Sequence, residues 1–212
     1  MANIVVQEMP FEEKYENVND AIDLFRDFVP SFVKRHLGPQ ADRELRRRWR
    51  ENTEVVAIDA PTDQKYERSY ANWIAMARVN FELIRDRMGE EGIEKFVEAE
   101  AVQLRRQNSG MAVSMLDMIR AFSRPTAFKM MAKKFAYQTQ WIKSYETTEL
   151  TNQIAVFEIP ACKVLEYPET EDVCKIGCQR VYPRWLADQF KADMRFDQQG
   201  NSCTCTARPL NN

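Results

Sequence analysis

The 212-residue chain predicts an α+β fold, a helical N-terminal two-thirds followed by a small antiparallel sheet with an inserted helix. Apolar residues recur every three or four positions from Val18 to Ile142, and after Leu150 they alternate instead. The turn at Gln198–Asn201 then separates two alternating runs, as a β-hairpin does. One domain over 1–212 is expected, its helical part at about 11–145 and its sheet and cysteine-bearing part at about 150–210.

The first helical face comprises Val18, Ala21, Ile22, Phe25, Val29, Phe32, Val33 and Leu37, with Pro30 expected to kink it. Gly38 and Pro39 stop that helix and start the next. Arg43, Arg46, Arg47, Arg48 and Arg50 follow; they read as a solvated face paired with nearby acids, or as an anion site. A wide stripe from Tyr66 through Tyr70, Trp73, Ala77, Phe81 and Ile84 to Met88 ends at Gly89. Ile93, Phe96, Val97 and Leu104 mark another helix, with Glu100 placed at its solvent edge. Met115, Met118, Ile119 and Phe122 continue the pattern up to Ser123–Pro125, a cap and restart, and Phe128, Met131, Phe135 and Ile142 finish it. These methionine and aromatic stripes are expected in the core, or in part along a pocket wall.

Ile154, Val156 and Glu158 alternate with Ala155, Phe157 and Ile159, which predicts a strand. Pro160 interrupts it, so continuation through Cys162 to Leu165 would need an edge or a bulge. Asp172 to Phe190 reads as helix, split at Pro183. The hairpin follows, with Ala192, Met194 and Phe196 on one arm and Cys203, Cys205 and Ala207 on the other.

Composition narrows the function. Apolar residues at 44% and charged residues at 29% are those of a folded protein rather than a disordered one. Thirty basic and 32 acidic side chains leave a net charge of −2, which gives no electrostatic reason to expect nucleic acid or an anionic membrane as partner. The longest runs without Asp, Glu, Lys or Arg, Gln107–Leu116 and Gln198–Ala207, are about half a membrane span. An acid at Glu8 precedes any apolar leader, so a cytoplasmic location is expected. The glycines form no phosphate-binding loop, and the lone His36 rules out a multi-histidine metal centre within one chain.

All five cysteines, at 162, 174, 178, 203 and 205, fall in the last quarter of the chain. An odd number without a secretion signal argues for reduced thiols. Cys174 and Cys178 share a helical face, and Cys203 and Cys205 share a strand face, so a helix laid across the sheet would bring the thiols together. Three roles compete: small apolar packing groups, a thiolate set for zinc, and a nucleophile. A nucleophilic thiol needs a positive neighbour. Lys175 and Arg180 give Cys178 a better field than Glu169, Glu171 and Asp172 give Cys174.

The order of strand Asn152–Cys162, helical Asp172–Cys178 and hairpin Gly200–Cys205 resembles the L-2-amino-thiazoline-4-carboxylic acid hydrolase family. There a cysteine ends a strand, a second lies in a helix and a third stands three residues after a glycine. The matching positions are Cys162, Cys178 and Cys203, with Cys174 and Cys205 as extras. The resemblance implies cofactor-independent hydrolysis of a C–N bond in a cyclic amidine or amide-like small molecule, with ring opening. On that basis Cys178 is the expected nucleophile, supported by Cys203 or Cys162. Glu158 is the expected acid/base, because alternation places it with Ile154 and Val156 on a partly buried face. His36 is the second base candidate, and Arg180 or Arg184 would meet a substrate anion. The same order also resembles vinyl-reductase-type binding domains, which implies the alternative of a non-catalytic module for a small molecule or for zinc on the cysteines. A small-molecule substrate is the expected partner, with self-association left open.

Overall fold

The computed structural model describes residues 7–109, 111–142 and 145–210, the side chains of 111–114 excepted. Residues 1–6, read above for a leader, lie outside the described residues. Among the described residues six α-helices and four strands form, in the predicted order save for the added β1: α1 (Phe11–Leu37), α2 (Pro39–Asn52), α3 (Thr62–Gln107), α4 (Met111–Phe122), α5 (Arg124–Gln138), β1 (Glu146–Leu150), β2 (Ala155–Ile159), α6 (Tyr182–Phe190), β3 (Ala192–Gln199) and β4 (Ser202–Pro209). A short 3₁₀ turn (Lys163–Glu166) and a π-helix (Val173–Val181) lie between β2 and α6. No helix among the described residues is long and apolar enough to cross a membrane.

The stops work as their chemistry dictates. Gly38, at φ +86°, ends α1 and donates its N–H to the Lys34 carbonyl, and Pro39 opens α2. Gly89 breaks α3 into two arms with φ +66° and ψ −161°, a conformation that strains any side-chain-bearing residue. Ser123 caps α5 by accepting from the Thr126 N–H, with Pro125 in the first turn. On α2 the arginines are tied to acids one turn away: Arg46 to Asp42 at 3.0 Å, Arg47 to Glu51 at 2.6 Å and Arg48 to Glu44 at 2.5 Å. This is the solvated, paired face rather than the anion site.

α1, α2 and the first arm of α3 pack around an aromatic core. Phe96, from the second arm, meets the rings of Phe28, Phe32 and Phe81 at 5.5, 5.2 and 5.8 Å. Burying a ring of that size is worth roughly 2–3 kcal/mol. The Trp49 indole donates to Asn80 Oδ1 at 2.9 Å, so its buried N–H is satisfied.

The sheet runs in the order β1-β2-β4-β3, every neighbour antiparallel. β4 lies at the centre, and a two-residue turn at Gly200 and Asn201 joins it to β3. One sheet face is buried: Ala155, Phe157 and Ile159 of β2, Ala192 and Met194 of β3, and Cys203, Cys205 and Ala207 of β4. α5 and α6 cover much of it, forming a second cluster with Phe128, Phe135, Trp185 and Leu186.

Three expectations are corrected. β1 falls between the expected helical and sheet parts, where no element was expected: Glu146, Thr147, Thr148 and Glu149 offer no apolar alternation, and the pairing with β2 is irregular between Thr147 and Glu149. Met115, Met118 and Phe122 are not core; Met118 is 62% and Phe122 89% exposed, while Leu116 is the buried residue. Beyond Cys162 the chain makes the 3₁₀ turn rather than extending the strand.

Candidate functional site

A cavity of about 470 Å³ opens where α1, both arms of α3, the segment after α5, the π-helix and α6 meet. Its size is that of a small-molecule pocket. α1 contributes Asp20, Asp23 and Asp27, all exposed, from one side of the helix. α3 contributes Trp73 and Phe81 from its first arm and Glu100 and Leu104 from its second. Trp141, after α5, completes an edge-to-face pair with Trp73, ring centres 5.0 Å apart and planes at 74°.

The π-helix supplies the wall that carries sulfur. Its wider turn is visible where the Tyr182 N–H donates to the carbonyl of Gly177, five residues back rather than four. Gly177, Cys178 and Val181 line the cavity from this segment, and Tyr182 and Trp185 follow from α6. A Cβ built on Gly177 meets no atom within 4 Å, so the missing side chain leaves cavity volume there.

Glu100 was misplaced by the sequence reading. It lies 8% exposed on the buried face of α3, not at the solvent edge. Its Oε2 has no hydrogen-bond partner among the described residues. Burial alone pushes its carboxyl up to about 8, so at neutral pH it is mostly the neutral acid, a proton donor. The signal was an acid four residues beyond Phe96 and three beyond Val97, in the middle of an apolar stripe.

The five cysteines are buried thiols, and among the described residues Cys178 alone of them lines the cavity. The expected gathering around one hollow is corrected: Cys162, Cys203 and Cys205 divide between two cores, apart from Cys178 at the cavity. Cys162 and Cys203 pack in the first core; the Cys162 N–H donates to the Asn201 carbonyl at 2.8 Å, and Cys203 pairs across the sheet with Ile159. Cys205 sits opposite Phe157 in the second core, and the Cys174 thiol donates to Gln198 at 3.4 Å. No group of three or more His, Cys, Asp or Glu among the described residues is placed to hold a metal ion.

The other candidates stand elsewhere. Glu158 is exposed: β2 buries the Ala155, Phe157 and Ile159 face, so its partial burial is corrected by the register that puts Cys203 and Cys205 beneath Ile159 and Phe157. His36 is exposed at the end of α1 against the Phe32 ring, 4.5 Å between centres. Arg180 pairs with Glu90 at 3.3 Å and Glu94 at 2.6 Å, and Arg184 with Glu98 at 3.3 Å; neither lines the cavity.

No protein-family model, curated protein or solved structure matches this chain.

Proposed function

We propose that the chain is a cysteine-dependent hydrolase that opens or cleaves a C–N bond in a small heterocyclic or amide-like molecule. The observation that carries this reading is that a thiol, Cys178, and a neutral acid, Glu100, line one cavity of ligand size. The cysteine order shared with the aminothiazoline-carboxylate hydrolases supports the same chemistry. In it the Cys178 thiol gives its proton to solvent, the thiolate adds to the electrophilic carbon, and the adduct expels the ring or amide nitrogen as the C–N bond breaks. Glu100 gives that nitrogen its proton and becomes a carboxylate. The carboxylate then takes a proton from water as the water oxygen attacks the thioester-like carbon, releasing the acid product and a thiolate that takes its proton back from solvent. Glu100 replaces Glu158 in the acid/base role, and Cys162 and Cys203 act as packing groups around the wall.

Alkylation tests the reading. One equivalent of iodoacetamide should label Cys178 and abolish turnover of a cyclic amidine or amide screened as substrate, with protection by a substrate analogue. Turnover that survives alkylation of every thiol overturns it.

A second reading is favoured by the acidic lining, since Asp20, Asp23, Asp27 and Glu100 oppose a standing thiolate. The chain would then be a non-catalytic small-molecule-binding module, binding with the same affinity in Cys178→Ala and consuming nothing.

A further inference from the structure

We infer that the cavity is built for an organic cation: a protonated nitrogen base on a flat apolar body, carrying no anionic group. The inference rests on this cavity being the ligand site, as proposed above, and is independent of what Cys178 does there.

The charge of the lining is one-sided. Glu100 lies within, and Asp20, Asp23 and Asp27 stand on the α1 side, while no Lys, Arg or His is found among the described lining residues. The arginines expected to receive a substrate anion, Arg180 and Arg184, are held by Glu90, Glu94 and Glu98 on the second arm of α3. Asp23 is shared with Arg26 at 3.2 Å, outside the lining, so an anionic ligand would meet Glu100, Asp20 and Asp27 with no cation among the described lining residues. A cation would meet the opposite, in a partly desolvated setting where such attraction is strongest.

Glu100 is the observation that points to a ligand rather than to a solvated acidic patch. A buried carboxyl oxygen without a partner is costly, and structures rarely keep one without use. A ligand N–H satisfies it and turns it to the charged form, and a carboxylate accepts from two N–H groups of a planar base side by side. The walls suit the rest of such a molecule. Trp73, Trp141, Phe81 and Tyr182 offer ring faces and edges, which attract cations and flat bodies alike. A cation seated there would also bring the positive neighbour that a thiolate at Cys178 needs.

Three probes of one size test this by calorimetric titration of the full chain at neutral pH: benzamidine, a cation; benzamide, its neutral counterpart; and benzoate, an anion. Benzamidine should bind at least about ten-fold more tightly than benzamide, and benzoate more weakly than either. Glu100→Gln should remove that margin and leave benzamide unchanged. Should that variant fail to fold, Asp20→Asn with Asp27→Asn on the exposed rim should weaken benzamidine several-fold, more so at low salt. Benzoate or benzamide binding as tightly as benzamidine, no benzamidine binding at all, or full affinity retained in whichever of these variants folds would overturn the inference. Cys178→Ala separates the two proposals: it should keep the preference for the cation whether or not the hydrolase reading holds.

Discussion

The Tyr66 hydroxyl donates to the Trp141 carbonyl at 2.7 Å, joining α3 to the cavity wall across 75 residues of sequence. Tyr70, one turn on, does the same for Ile142 at 3.0 Å. Lys163 lies over both rings, 4.4 and 4.6 Å from their centres, and pairs with Glu67. Together these contacts fix the segment that presents Trp141 to Trp73. Tyr66→Phe leaves a buried carbonyl without its donor and should cost about 1–2 kcal/mol in urea denaturation. An unchanged midpoint would mean that the segment is held by packing alone.

Glu100 makes stability fall as pH rises. Its folded carboxyl titrates near 8 against a reference of 4.5, so the folded state holds the extra proton between those values. Its contribution is complete below about pH 4.5 and is lost progressively as pH climbs through 8, by about 1.4 kcal/mol per unit at most. Glu100→Gln should therefore gain on the parent between pH 5 and 9, by up to a few kcal/mol. Parallel urea midpoints for the two proteins across that range would refute a buried, late-titrating acid.

Gly177 offers a steric test of the cavity. Gly177→Ala should be tolerated or stabilise by about 0.5–1 kcal/mol, as helical glycines do when replaced without a clash. Gly177→Leu should fold with a comparable melting temperature yet lose ligand binding, because its side chain grows into the volume the ligand needs. Binding that persists in the leucine variant would place the ligand elsewhere.

The thiols should separate by role. Cys203→Ala removes a packed sulfur from the first core and should cost about 1–2 kcal/mol without touching the chemistry. Cys178→Ser should fold and bind but lose turnover. Equal losses of activity in melting-corrected assays of the two would contradict the assignment of the nucleophile.

The sequence carried the helices well, because α1 and both arms of α3 bury regular apolar faces, and α1 and the first arm of α3 stop at glycines of positive φ. The hairpin was equally legible, since its turn and its alternation agree. β1 was not legible: ETTEL reads as polar loop, and only pairing with Val156 and Phe157 makes it a strand. Alternation established that Glu158 lies opposite Phe157 but not which face the helices would cover. Cys178 was singled out among the thiols by its local charges, although Arg180 is spent on Glu90 and Glu94. Glu100 could have been found by asking why an acid follows Phe96 and Val97 in register with the core. The aspartates of α1 looked like any solvated face; their relation to the cavity depends on long-range packing.

The i-to-i+5 ladder from Val173 to Val181 has one further consequence. Such a winding holds one residue more than the regular spiral would need over the same rise. Excising an exposed position within it, such as Lys175, would let the segment relax to ordinary winding and swing everything upstream of the deletion by about 100° relative to α6. The helix would survive and the melting point would move little, but the join between the sulfur-bearing wall and the 3₁₀ turn would be dealt out of phase. The surplus residue thus acts as a spacer that sets how the chain before it enters this wall.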